Sequence, residues 1–132
     1  MRRYYFTLSV LICFLFGWSC LSVPTEIFDS SVNGKNIMIQ RNEQFIVNLD
    51  VHADGGYQWD CQISDSTILK KDSTHIAPKN SNRNIVGGLS VETFYLSSSS
   101  KPGQCTINLI EHRGWEQNIP PINTVQFHVV VK

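Results

Sequence analysis

Asp54-Gly55-Gly56-Tyr57-Gln58-Trp59-Asp60-Cys61 is the stretch from which the fold can be read. Paired glycines bend the backbone cheaply, because Gly tolerates φ > 0. After them Tyr57, Trp59, Cys61 and Ile63 recur at every second residue, which places them on one face of a strand. Ahead of them Phe45, Val47, Leu49 and Val51 alternate in the same way. A strand, a glycine turn and a second strand are therefore expected.

The same texture continues in both directions. No stretch after residue 23 sustains a 3.6-residue apolar period; β-branched and aromatic runs recur instead, separated by Gly, Pro, Asn, Asp and Ser clusters. Strands are predicted over 36–40, 44–51, 57–64, 68–76, 91–97, 104–112 and 124–131. Lys70, Lys71 and Asp72 mark the fourth as an edge strand. In the fifth, Val91, Thr93 and Tyr95 alternate with Glu92, Phe94 and Leu96, and Phe94 is assigned to the outward face. In the sixth, Cys105, Ile107 and Leu109 share a face; in the seventh, Val125, Phe127, Val129 and Val131 do. About seven short strands at this spacing imply an all-β, immunoglobulin-like β-sandwich with Trp59 as a core aromatic. A small all-β barrel is the alternative.

If the strands run alternately up and down, three connections leave from one end. They carry Gly55-Gly56, Gly87-Gly88 and Arg113-Gly114-Trp115. Loops gathered at one end of a rigid sandwich form a common kind of binding surface.

The N-terminus reads differently. Arg2 and Arg3 precede an apolar, uncharged run over 6–18 and then small residues, the pattern of a secretory signal and too short for a spanning helix. Cys20 and Ser22 fit cleavage before Val23, giving a signal over 1–22 and a domain over 23–132. Alternatively, Gly17-Trp18-Ser19-Cys20 resembles a loose lipobox, with the signal ending before Cys20 and that residue lipidated. Either route makes the protein extracytoplasmic, whether secreted, periplasmic or lipid-anchored, with membrane contact only through a lipid on Cys20. Cys61 and Cys105 are then the cysteines of the folded domain. An oxidising compartment favours a disulfide between them, both being on inward parity; two buried free thiols are the alternative.

Without Arg2 and Arg3 the chain carries 9 basic and 11 acidic residues, a net charge near −2. No basic patch stands out, so nucleic acid is not an expected partner. Catalysis is not expected either. His75, His112 and His128 read as solvated strand residues, and His52 alone lies near the glycine turn. Both cysteines have core parity, which removes an exposed nucleophile. No Cys-x-x-Cys or His-x-x-x-His spacing suggests a metal, and no phosphate-binding glycine motif precedes a helix. No cofactor is expected.

The three glycine-bearing segments resemble those of the chagasin family of cysteine-peptidase inhibitors. That family carries Asn-Pro-Thr-Thr-Gly-Tyr/Phe-x-Trp in its first binding loop, a Gly-Gly pair in its second and Arg-Pro-Trp/Phe in its third. Here His52-Ala53-Asp54-Gly55-Gly56-Tyr57-Gln58-Trp59, Gly87-Gly88 and Arg113-Gly114-Trp115 stand in those places, in order. Gly56, Tyr57, Trp59, Arg113 and Trp115 fit the motifs; His52 to Gly55 replace Asn-Pro-Thr-Thr, and Gly114 replaces the proline. The resemblance implies a monomer that inhibits papain-like cysteine peptidases reversibly. Its first loop would enter the active-site cleft while the other two hold the cleft walls. The other expectation is a non-inhibitory immunoglobulin-like module for adhesion or glycan capture at a cell surface.

Overall fold

A computed structural model describes residues 25–79 and 88–132. The signal segment and Gly87 lie outside the described residues. Eight strands form: β1 Glu26–Phe28, β2 Asn36–Ile39, β3 Gln44–Val51, β4 Gln58–Ile63, β5 Leu69–Pro78, β6 Ser90–Ser98, β7 Gly103–His112 and β8 Asn123–Val131. They make two four-stranded sheets, ordered β1-β3-β6-β5 and β2-β8-β7-β4. Two single 3-10 turns, Ser30–Val32 and Ala53–Gly55, interrupt the strand pattern.

The sheets face each other across an apolar core. Phe45, Val47, Leu49 and Val51 from β3 and Phe94 and Leu96 from β6 line one side. Cys105, Ile107 and Leu109 from β7, with Val125, Phe127, Val129 and Val131 from β8, line the other. Trp59 closes this core toward one end, donating from its indole Nε1 to the Asp50 carbonyl at 2.9 Å. A buried indole N–H needs such a partner. β5 lies at a sheet edge, where its run of exposed polar residues is tolerated.

Three expectations are corrected. On β6 the parity is reversed: Phe94 is 1% exposed and Glu92 and Leu96 point inward with it, whereas Tyr95 faces solvent. β6 is an inner strand whose two neighbours fix its register, and the large Phe94 and Leu96 decide which face is buried. Cys61 and Cys105 are both free. Their strands are neighbours, as expected, but Cys61 pairs with Leu109, leaving Cys105 four positions farther along β7. At about 3.3 Å per residue that is roughly 13 Å, about twice the span a disulfide bridges. Finally, β1 is a strand not expected from the sequence. It pairs parallel with β3, Glu26 opposite Phe45 and Phe28 opposite Val47.

The pairing sorts the connections into two ends. Val51 and Pro78 both pair with Ser90, and Glu111 pairs with Asn123 while Gln58 pairs with His112. The β3–β4, β5–β6 and β7–β8 connections therefore share one end, here called the tip. Thr25, Gln40 to Gln44 and Ser98 line one groove at the other end, the base.

Candidate functional site

Residues 52–57 form the first tip loop. A 3-10 turn closes through Gly55 N donating to His52 O and Gly56 N donating to Ala53 O, each 3.0 Å, and Tyr57 N reaches the same His52 carbonyl at 3.3 Å. Gly56 ends the turn at φ 77°, where an L side chain would be strained. Asp54 is exposed and accepts the Gly55 amide at 3.0 Å, while Ala53 and Tyr57 pack partly against the core.

This loop is fastened from below by a carboxylate. Glu111 lies on β7 in the same inward row as Cys105, Ile107 and Leu109, and it is fully buried. Its Oε1 accepts the His52 backbone N–H and sits 3.0 Å from His52 Nδ1, while its Oε2 accepts Asn123 Nδ2–H at 2.6 Å. One side chain thus joins the first loop to both strands of the third connection. Nearby, Glu92 Oε2 accepts the Trp59 backbone N–H at 2.9 Å, tying the other sheet to the start of β4. Burial pushes the Glu92 carboxyl above its ordinary value, against the lowering effect of the Trp59 hydrogen bond; Lys71 lowers it further and Glu111 raises it. The bracing role of neither carboxylate is evident from the sequence, where Glu111 is one of several carboxylates with no spacing to single it out. Continuing the 105–107–109 parity by one step would have found Glu111.

The third loop grips the first. Arg113 Nε donates to the Gly55 carbonyl at 2.8 Å, its Nη1 meets Glu116 Oε1 at 2.9 Å, and its guanidinium lies 4.3 Å over the Tyr57 ring. The Glu116 hydrogen bond comes first among the causes that raise its pKa. Arg113 is therefore a brace inside the tip, with its charge already partnered. Trp115 is 68% exposed, yet its ring crosses Gly56 so closely that a Cβ there would fall 2.1 Å from Cη2. Glycine at 56 is what lets the Cη2 edge of the indole abut the loop. Gly114 meets only Gln58 Nε2 at 3.5 Å from a hypothetical Cβ.

Of the second loop the described residues show the neck. Lys79 N donates to Leu89 O at 3.0 Å, Lys79 Nζ forks onto both Asp50 oxygens at 2.9 and 2.7 Å, and Gly88 is exposed. The three expected segments thus converge. Among the described residues His52, Asp54, Gly55, Gly88, Gly114 and Trp115 are exposed there, and Ala53, Gly56, Tyr57 and Arg113 are partly buried beneath them.

Little chemistry is available at the tip. His52 stands by Glu111, whereas His75 and His128 lie on exposed strand positions. Cys61 is half-buried, and burial above all pushes its thiol up to about 11, opposite to what a nucleophile requires. Among the described residues no group of three His, Cys, Asp or Glu side chains could hold a metal ion. Within the same residues no helix is long and apolar enough to cross a membrane.

Comparison with known proteins decides the family. A profile described as "Chagasin family peptidase inhibitor I42" matches residues 38–129. The chain belongs to the chagasin family. Chagasin-family proteins are inhibitors, so this one is not an enzyme. Solved structures share its fold. The cysteine protease inhibitor EhICP2 from Entamoeba histolytica superposes at TM-score 0.73 with 21% identity, covering 82% of this chain and 96% of that one. The solution structure of Amebosin gives 0.68 at 19%, covering 83% and 100%. PbICP-C, solved in complex with falcipain-2, gives 0.54 at 21%, covering 82% and 91%. No curated protein matches the sequence. The family match spans the first and third tip loops and both strands that carry their bracing carboxylates.

Proposed function

We propose that this chagasin-family protein inhibits papain-like cysteine peptidases by occlusion, without chemistry. One observation carries the reading: three connections from non-adjacent parts of the chain share one end, and the central one is held by Glu111 beneath it and by Arg113 of the third loop. The first loop would enter the active-site cleft near its cysteine, while Trp115 and the Gly88 segment would hold the walls. A rigid loop loses little freedom on docking, which favours tight yet reversible binding. The complex of the fold neighbour PbICP-C with falcipain-2 supports a cysteine peptidase as the partner class. His52, Ala53, Asp54 and Gly55 stand where the family motif has Asn-Pro-Thr-Thr, so the backbone of the 3-10 turn, more than those side chains, would fill the cleft.

The same proposal takes the protein to be a monomer outside the cytoplasm, exported by the signal over 1–22 or held by a lipid on Cys20. Titrating residues 23–132 against papain and a cathepsin L-type peptidase tests the inhibitory reading. Residual activity should fall to a plateau at sub-micromolar domain and recover on dilution. No inhibition of either at micromolar domain would overturn it and favour a non-inhibitory binding module.

A further inference from the structure

The motif of the third loop ends at Trp115, but its exposed apolar surface continues. Among the described residues, eight large hydrophobic side chains are exposed, and Trp115, Ile119 and Ile122 are three of them. A fourth, Leu89, borders the second loop, and the other four lie on β1, β2, β5 and β6, where Ile76 of β5 lines a groove with Gly114. Between Gly114 and Ile122 the sole charged residue is Glu116, which Arg113 holds. The limb Ile119-Pro120-Pro121-Ile122 is therefore a neutral, apolar ledge running on from the indole.

It is also a stiff ledge. Glu116 N donates to Arg113 O at 3.1 Å and closes the loop's first turn. Asn118 adopts φ 65°, a left-handed conformation that bends the chain before Ile119. Pro120 and Pro121 have fixed φ, and Ile122 N donates to Glu111 O at 2.9 Å, returning the limb to β7. Apolar side chains presented on a stiff backbone lose little entropy when covered. Interface cores combine these traits: low charge, large apolar groups and pre-set geometry.

We propose that Ile119 and Ile122 form a second apolar contact of the tip, covered by an apolar strip on the peptidase's cleft wall beside the one that Trp115 meets. The inference rests on the inhibitory reading above and extends its footprint beyond the family motif. It makes the ledge a selector among peptidases, because a charged wall there would be desolvated against isoleucine.

The test compares wild-type domain (residues 23–132), the double variant Ile119→Ser/Ile122→Ser and Trp115→Ala for inhibition of papain, with thermal unfolding and sizing alongside. The expected result is an inhibition constant raised about tenfold or more by the double substitution, mostly through faster dissociation, with an unchanged Tm. Full potency of the double variant beside a weakened Trp115→Ala would overturn the ledge and leave the inhibitory reading standing. A lowered Tm would show that the isoleucines pack on their own domain, and a wild-type dimer lost in the variant would assign the ledge to a second copy; both overturn the proposal. If wild-type domain fails to inhibit, the ledge falls with the reading on which it rests.

Discussion

Glu111 shows how much one residue can organise. Its carboxylate is buried, yet each oxygen has a donor: the His52 amide and ring on one, Asn123 on the other. Truncation to Ala would remove the shared acceptor of the His52 N–H, the His52 ring and the Asn123 amide, hydrogen bonds that contribute about 0.5–1.5 kcal/mol each, and would leave a void in the core row of β7. We expect Glu111→Ala to lower stability by roughly 2 kcal/mol or more in urea unfolding with an unaltered m-value, and to weaken peptidase inhibition as the first loop loosens. His52→Ala, which keeps the backbone donor, should cost less in both measurements. Gly56 shows the converse, a residue whose value is what it lacks. The positive φ and the indole edge standing where a Cβ would go both exclude a side chain, so the glycine that forms the turn also makes room for Trp115.

At the scale of elements, the sheets are joined at the tip by Glu92 on β6, reaching Trp59 N on β4. Because burial raises this carboxyl above 4.5, the native state holds its proton more tightly than the unfolded chain does. Its contribution is therefore greatest below the unfolded pKa and diminishes as pH rises through the raised value. Glu92→Gln keeps an oxygen for Trp59 N–H and removes that titration. The stability of this variant relative to wild type should increase from pH 4 to pH 7 in urea unfolding; a pH-independent difference would refute the assignment. The strands themselves were largely legible. β3 matches 44–51, and the buried faces of β3, β7 and β8 follow from simple alternation. β6 was misread because Val91, Thr93 and Tyr95 make as plausible a face as Glu92, Phe94 and Leu96, and only the neighbours of the strand choose between them. β1 is three residues long, too short for period two to show, and it exists because β3 offers an edge. Convergence of the three loops was legible from strand parity; the bracing beneath them was not, since a buried carboxylate looks like a solvated one until its donors are placed.

For the whole molecule, the separation of the cysteines means that the sandwich is held by its core alone. Alkylation of the 23–132 domain in denaturant without reductant should add two adducts, on Cys61 and Cys105, whereas the folded domain should react slowly; an unmodified denatured domain would refute free thiols. Independence from a crosslink also leaves the fold indifferent to the redox state of its surroundings. The last consequence comes from the smallest strand. β1 runs parallel to β3, so its first residue lies at the base and its direction points toward the tip. Lys132 lines a groove at the base with Gln40 and Arg41, so both ends of the described chain sit behind the inhibitory loops. A lipid on Cys20 would leave a leash of six residues to Glu26, at most about 20 Å at full stretch. With its anchor at the base, a lipidated domain would carry its loops on the end away from that anchor. An anchored copy would intercept peptidases arriving from solution and be badly aimed at one lying flat on the same surface.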